Sequence, residues 1–298
     1  MNQWVVVVGG TNMDVVARTS APLVAATSNP GTTRLSPGGV GRNVAACLGL
    51  LGAPVRLVSA VGQDAFGDEV LRVTAACGVD VGAVRRVPGA RTGTYTAVLD
   101  DAGELAAAVS DMAVVDALEL ETLHLADAAL VVVDGNLSAP QVAHALASAG
   151  AAGVPVAFEP VSVAKAARSA DLVRDLFLVT PNSDELAALT GRATEQWREG
   201  VADLHARGVE HVWLRQGSGG SWVCTRDRDP VHVPALPATV VDVTGAGDAM
   251  LAAWVAAWLG GADPVAAAHH GHRAAVATIE SPHTVRPDLA DSIEEERP

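Results

Sequence analysis

Lysine is almost missing from this chain: Lys165 is the only one in 298 residues. No Gly-Lys-Ser/Thr string exists, which excludes the Walker A phosphate loop. Any phosphate binding must rely on backbone N–H groups, arginines or a metal. Cysteine is scarce as well. Cys47, Cys77 and Cys224 are odd in number and none sits in a CxxC. That argues against a disulfide scaffold and a structural zinc site, and in favour of three small buried hydrophobes. No uninterrupted apolar run approaches the roughly 20 residues of a membrane span. No basic segment followed by an apolar one stands at the N-terminus, so the expected location is the cytoplasm. Positive charge is in deficit, with a net charge of −14. A general nucleic-acid-binding surface neutralises phosphates with Lys and Arg, and the charge balance argues against one.

What is present is a large apolar fraction, 49% of residues, enough to bury a sizeable core. Short strand-like runs at 4–8, 55–58, 130–134, 154–158, 177–179 and 211–215 alternate with helical stretches. The helices are expected at 41–51, 68–77, 139–149, 164–174, 183–189, 194–207, 246–259 and 264–278. Such alternation predicts an α/β fold, a mostly parallel sheet with helices on its faces. Two segments, about 11–37 and 91–112, break the rhythm: threonine, valine and turn residues replace helical periodicity, which predicts a small accessory sheet. The charged tail 291–298 is expected to fray. The pair Trp254 and Trp258, one helical turn apart, is expected in the core. His124, His144, His205 and His211 are expected at the surface or at helix caps. His269, His270 and His272 do not share one helical face, which argues against a metal site.

The strongest motif is Val241-Asp242-Val243-Thr244-Gly245-Ala246-Gly247-Asp248, a strand-like run ending in a glycine turn that opens a helix. The first N–H groups of a helix have no internal acceptor, and its dipole favours an anion there. A carboxylate at such a place repels phosphate. Asp248 makes sense if it accepts a proton from a hydroxyl attacking that phosphate; alone, it also reads as an N-terminal dipole partner.

Four weaker segments accompany it. Gly38-Gly39-Val40-Gly41-Arg42-Asn43 opens a helix; its glycines let the backbone close over a ligand, and Asn43 both donates and accepts. It is no dinucleotide fingerprint, and neither is Gly9-Gly10-Thr11-Asn12-Met13-Asp14, which disfavours a Rossmann dehydrogenase. Asp14 suits vicinal hydroxyls, or an Asx-turn. Asn182 and Glu185, three apart at a helix start, suit a hydrated Mg²⁺ or a plain N-cap. Gly217-Ser218-Gly219-Gly220 suits nucleotide phosphates or a hairpin turn.

Taken in order along essentially the whole chain, these segments resemble the ribokinase-like (PfkB-type) family of sugar and nucleoside kinases. Ser28-Asn29-Pro30-Gly31, Gly38 to Asn43, Ser59-Ala60-Val61-Gly62, Asp111-Met112, Asp134-Gly135-Asn136 and Pro287-Asp288-Leu289 are similar to its pseudouridine-phosphorylating branch. Two departures stand out. Val40 replaces the lysine usual in ribokinase itself, and Glu159 precedes Pro160 where the branch commonly has aspartate.

The resemblance implies a ribokinase-like three-layer α/β/α sandwich, a single kinase domain over 1–298 with a β-sheet lid from 11–37 and 91–112, and dimerisation through that lid. It implies ATP-dependent phosphorylation of the ribose 5′-hydroxyl of pseudouridine. Asp248 would be the base, and the N–H groups of Gly245, Ala246 and Gly247 the anion hole. Asn12, Asp14, Gly39, Asn43 and Asn136 would hold the ribose, and Thr94, Asp111 and Met112 the nucleobase. Asn182, Gly217, Gly219, Gly220, Thr244, Gly247 and His272 would bind the nucleotide. Asn182 and Glu185 would hold Mg²⁺ through water, and Asp242 with Thr244 a K⁺ ion. Two alternatives stay open: a kinase for another nucleoside or sugar, such as ribose, adenosine or uridine, and a catalytically silent nucleoside-binding protein.

Overall fold

The computed structural model describes residues 4–120 and 123–295. The chain begins with β1 (Trp4–Val8), a valine run buried on both faces. It continues into β2 (Asn12–Thr19) and β3 (Gly31–Gly38). Then come α1 (Val40–Leu50), β4 (Val55–Gly62), α2 (Ala65–Ala76), β5 (Val79–Asp80) and β6 (Val84–Val87). The hairpin β7 (Thr94–Leu99) and β8 (Leu105–Asp111) leads through the short helix α3 (Ala113–Asp116) to β9 (Ala128–Asp134).

The second half repeats the βα alternation: α4 (Ala139–Ala152), β10 (Val156–Glu159), α5 (Val163–Ser169), β11 (Leu178–Val179), α6 (Ser183–Thr190) and α7 (Trp197–Ala206). It closes with β12 (His211–Arg215), β13 (Ser221–Thr225), β14 (Val231–Val233), α8 (Ala246–Leu259), α9 (Pro264–Ile279) and α10 (Leu289–Glu295).

The main sheet runs β14-β13-β12-β11-β10-β9-β1-β4-β5, with β6 beside β4. It is parallel from β5 to β12, and β13 and β14 join antiparallel. One apolar cluster lies between the sheet and α1, α8 and α9; the other lies on the opposite face, under α4, α6 and α7. This is the expected ribokinase-like α/β/α arrangement. The two irregular segments form a separate four-stranded sheet, β3-β2-β7-β8.

Differences from expectation have local causes. The helix expected over 164–174 ends at Ser169, where the chain turns to bury Val173 and Leu176. The tail does not fray at 291: Leu289 and Ile293, one turn apart, are buried and hold α10 on the core. Residues 296–298 of that expectation lie outside the described residues. Val241–Val243 is not a strand, because no sheet edge reaches it; Val241 and Asp242 instead donate their N–H groups to Ile279 O. His211 is not at the surface. Its ring is buried, edge-on to Phe177, and contacts Thr225 Oγ1 at 3.0 Å. Trp254 and Trp258 stack as expected, 6.4 Å apart at 15°.

Candidate active site

Parallel sheets present their loops at the carboxyl ends of the strands, and ligands bind there. Here the ends of β1, β9, β10 and β12 deliver Gly9–Asn12, Asp134, Glu159 and Arg215 to one cleft, and α8 enters it head-on. Gly245, the N-cap of α8, has φ 83°, and a Cβ there would fall on the Thr284 carbonyl. Only glycine fits. Ala246 N donates to Val243 O at 3.3 Å, and the first intrahelical bond is Ala249 N to Gly245 O at 2.9 Å. The N–H groups of Gly245, the N-cap, and Gly247, in the first turn, come ahead of that first intrahelical donor, where helix geometry supplies no acceptor. Of the three expected anion-hole donors, Ala246 is thus the one already engaged.

Asp248 stands in this first turn, half-buried. Burial pushes its carboxyl up to about 8, against the pull of the amide of Asn43, whose Nδ2 donates to Oδ2 at 2.9 Å. Glu159 and Asp134 push the same way as burial, and Arg215 opposes them.

Asp134 is the fastener of the cleft. Its Oδ2 accepts from Gly10 N at 2.9 Å and Gly41 N at 2.6 Å, joining the loop after β1 to the head of α1. Its Oδ1 accepts from Asn136 N at 2.9 Å, and Asn136 Oδ1 in turn receives Lys165 Nζ at 2.5 Å. Burial raises the Asp134 carboxyl and lowers the Lys165 ammonium. Gly39, at φ 95°, packs so closely on Gly10 that a Cβ would fall on its carbonyl. Beside it, Asn12 Nδ2 donates to Asp14 Oδ1 at 2.6 Å, and burial raises the Asp14 carboxyl. The structure therefore brings Asn12, Asp14, Gly39, Asn43, Asn136 and Asp248 to one cleft.

The far wall is built around Arg215. Its Nη2 meets Glu159 Oε1 at 2.7 Å and Oε2 at 2.9 Å and donates to the Thr180 carbonyl; its Nη1 donates to Gly247 O at 3.3 Å. Thr180 Oγ1 donates to Glu159 Oε2 at 2.6 Å. Next to this pair, Asn182 and Glu185 close a reciprocal capping box on α6. Asn182 Oδ1 accepts from Glu185 N and Glu185 Oε2 from Asn182 N, both at 2.9 Å. Asn182 keeps its NH₂, a donor suited to phosphate oxygens, and the second lone pair of Oδ1. Glu185 keeps one oxygen, and burial followed by Glu159 raises its carboxyl. Two carboxylates sharing one guanidinium leave net negative charge, which fits a hydrated divalent cation nearby. The K⁺ expectation fits less well. Asp242 Oδ1 caps Thr244 N at 2.9 Å, and Arg34 Nη2 stands 3.9 Å from Oδ2, a cation already in place.

Strand alternation sorts the expected nucleobase contacts. Asp14 pairs across β2 and β7 with Tyr95, and Tyr95 pairs with Ser110, so these three share the cleft face. Met112, two beyond Ser110, lies by Gly93 and Asn12 at that face. Thr94 and Asp111 are one register off. They point to the other face and line a cavity of about 360 Å³ with Asp64, Phe66 and Arg91. Gly217, Gly219 and Gly220 form the turn between β12 and β13, at the edge of the cleft. His272 departs from expectation: it is buried, with Nε2 2.8 Å from Ser221 Oγ, which also accepts Trp213 Nε1 at 2.8 Å. Its ring braces β12 and β13 and is not open to a nucleotide.

Residues 2–290 match the family model described as pfkB family carbohydrate kinase. The chain belongs to the pfkB family of carbohydrate kinases. It is a phosphotransferase that acts on an alcohol. The Escherichia coli pseudouridine kinase is 33% identical over 96% of this chain and 94% of that one. The Arabidopsis thaliana pseudouridine kinase is 27% identical over 95% and 92%. Among solved structures, Arabidopsis thaliana ribokinase complexed with ribose and ATP superposes at a TM-score of 0.89, with 25% identity, over 99% of both chains.

In this pfkB kinase, sequence reasoning missed Asp134, Glu159, Arg215, Lys165 and Arg42 as site residues. All but Lys165 stand inside or beside a motif string, but a strand end or a lone cation carries no local signal of its distant partners. The signal that was available is the oddity of ionisable residues closing apolar runs: Asp134 after Val131–Val133, and Arg215 after Val212–Leu214.

Proposed function

We propose that this pfkB kinase transfers the γ-phosphoryl group of ATP to the ribose 5′-hydroxyl of pseudouridine, giving pseudouridine 5′-phosphate and ADP. The observation that carries the reading is Asp248. It is a carboxylate with a raised pKa, in the first turn of a helix whose leading N–H groups have no intrahelical acceptor, hydrogen-bonded to Asn43 in the first turn of α1. The likeness to two pseudouridine kinases supports the choice of acceptor.

Asp14 and Asn12, held together at 2.6 Å, accept and donate to the ribose hydroxyls, with the Gly39 backbone and Asn136 beside them. Asp248 takes the proton of the attacking 5′-hydroxyl. The N–H groups of Gly245 and Gly247 stabilise charge on the transferring phosphoryl, preorganised at a helix N-terminus. Arg215 holds the Gly247 carbonyl, so the turn keeps its shape as charge develops. The Asn182 amide and the Gly217–Gly220 turn lie along the path of the nucleotide. Mg²⁺, when bound, would neutralise the phosphate oxygens, and Glu185 would hold it through water. The small sheet acts as the lid. Its face away from Asp14 exposes Leu35 at 53% and Val109 at 67% in one cross-strand row, which supports pairing with a second copy; sedimentation of the purified chain tests that. We place the reaction in the cytoplasm.

The test is ATP consumption against pseudouridine, uridine, adenosine, cytidine and ribose. Pseudouridine is expected to be turned over with the highest kcat/KM. Turnover of ribose or adenosine with none of pseudouridine would remove the acceptor and leave the kinase.

A further inference from the structure

Arg42 has no part in the steps above, yet it is 3% exposed, a charge enclosed with no carboxylate among the described residues in hydrogen-bonding reach. Its guanidinium is held from three sides. Nε donates to Thr74 Oγ1 of α2 at 3.0 Å, and Nη1 to the Pro37 carbonyl of β3 at 3.3 Å and to Asn43 Oδ1 at 3.2 Å. The third contact fixes more than position. A guanidinium has donors and no acceptor, whereas an amide has one of each. The end of the Asn43 amide that meets Arg42 must therefore be its oxygen. That turns the NH₂ to Asp248, where Nδ2 donates to Oδ2 at 2.9 Å. Rotated by half a turn, the amide would set NH₂ against guanidinium and oxygen against carboxylate, two repulsive contacts between side chains as buried as Arg42 and Asn43, 3% and 5% exposed.

We infer that Arg42 is a positioning residue for the phosphoryl-transfer base: it locks the Asn43 amide so that a donor faces Asp248 Oδ2, which leaves Asp248 Oδ1 as the oxygen presented to the attacking hydroxyl. The inference rests on Asp248 being the base. Because Nη1 also holds Pro37 O, just before Gly38 and Gly39, the same guanidinium ties the small sheet to the orientation of the base. The charged groups around it are few. Asp14 from β2 and Asp248 from α8 act on Arg42, along with the thiols of Cys47 and Cys77, and burial lowers its pKa. Asp248 is faced by Glu159 from β10, Asp134 from β9 and Arg215 from β12.

The experiment follows kcat/KM against pH for wild type, Arg42→Gln, Arg42→Lys, Asn43→Ala and the Arg42→Gln/Asn43→Ala double variant, using the acceptor found in the substrate panel. Glutamine both donates and accepts, so it releases the amide. Its acid limb is expected to move up by about one pH unit, with kcat down about tenfold. An ammonium is again donor-only, so Arg42→Lys is expected to keep the wild-type midpoint even where it lowers the rate. Asn43→Ala is expected to shift the midpoint as Arg42→Gln does, and the double variant to add no second shift. Equal losses in Arg42→Gln and Arg42→Lys at an unmoved midpoint would overturn the proposal, as would additive shifts in the double variant. Should Arg42→Gln fail to fold, Thr74→Val loosens the guanidinium and keeps its charge; the proposal requires the midpoint to rise there too, and an unmoved midpoint overturns it. Asp248→Asn at wild-type rate would instead remove the base assignment itself, whatever the Arg42 variants do.

Discussion

Arg215 and Glu159 form a buried ion pair at the ends of β12 and β10, parallel strands on either side of β11, with Nη2 2.7 Å from Oε1 and the two side chains 12% and 5% exposed. The pair does two things at once. It closes the cleft wall, and through Arg215 Nη1 it holds the carbonyl of Gly247. Removing one partner leaves the other charge enclosed, at about 3–5 kcal/mol. Arg215→Met is therefore expected to lower the denaturation midpoint and kcat together. Glu159→Asp, one methylene shorter, is expected to keep the charge but lose either the Thr180 or the second Arg215 contact. Urea unfolding with initial rates on the same preparations checks both. A stable Arg215→Met enzyme with normal kcat would contradict the bracing role.

Asp248 ties activity to stability with opposite signs. Its folded pKa is raised to about 8 from an ordinary 3.8. Between those values the folded state holds a proton that the unfolded state releases, so this carboxyl's contribution to stability falls as pH rises through the window. Asp248→Asn removes that pH dependence. It is expected to cost at least 10²–10⁴-fold in kcat, roughly the worth of a general base, while its melting temperature gains on wild type more at pH 9 than at pH 5. Wild-type kcat/KM is expected to rise with pH toward 8 as the base ionises. Melting curves at the two pH values and a pH–rate profile decide it; a variant that melts below wild type at pH 9 would count against the raised pKa.

Much of this was readable in the sequence, for a physical reason. Valine runs such as Val5–Val8 and the alanine-rich α8 carry their own periodicity, and the small sheet betrayed itself by lacking one. The Gly245–Asp248 turn was legible because all its parts are adjacent in the chain. What was not legible depends on strand ends meeting across the sheet. Asp134 receives N–H groups from Gly10 and Gly41, 124 and 93 residues away, and nothing local announces either. Thr94 and Asp111 were one residue from the cleft face. In a strand, a single position changes the side completely, and only the register with β2 resolves it. The capping box of Asn182 and Glu185 shows a third limit: a helix cap and a metal holder use the same residue types at the same spacing.

Gly245 offers a sharper lesion than any side chain in the cleft. Gly245→Ala forces a Cβ into left-handed backbone, at roughly 1–2 kcal/mol, and onto the Thr284 carbonyl. The turn must shift, and the donors of the anion hole shift with it. We expect kcat to fall by about 10²-fold, the scale of losing one oxyanion donor, with acceptor KM nearly unchanged because Asp14 and Asn12 are untouched. Steady-state kinetics in both substrates measure this. A rise in acceptor KM at constant kcat would assign the turn to binding instead.

Tyr95 is the only tyrosine in the chain, is 37% exposed, and lies between Asp14 and Ser110 on the cleft face of the small sheet. If Asp14 holds the ribose hydroxyls, an aromatic ring on the adjacent strand, pointing the same way, is placed for the base attached to that ribose. Stacking of one base on an aromatic side chain is worth roughly 1–3 kcal/mol, on the order of 5–150-fold in affinity. Tyr95→Ala should therefore raise KM for pseudouridine within that range, and Tyr95→Phe, which keeps the ring, should stay close to wild type. Ribose has no base, so any residual phosphorylation of ribose should be indifferent to both changes. An unchanged pseudouridine KM in Tyr95→Ala would show that the base lies elsewhere, and a loss in Tyr95→Phe equal to that in Tyr95→Ala would move the recognition from the ring to its hydroxyl.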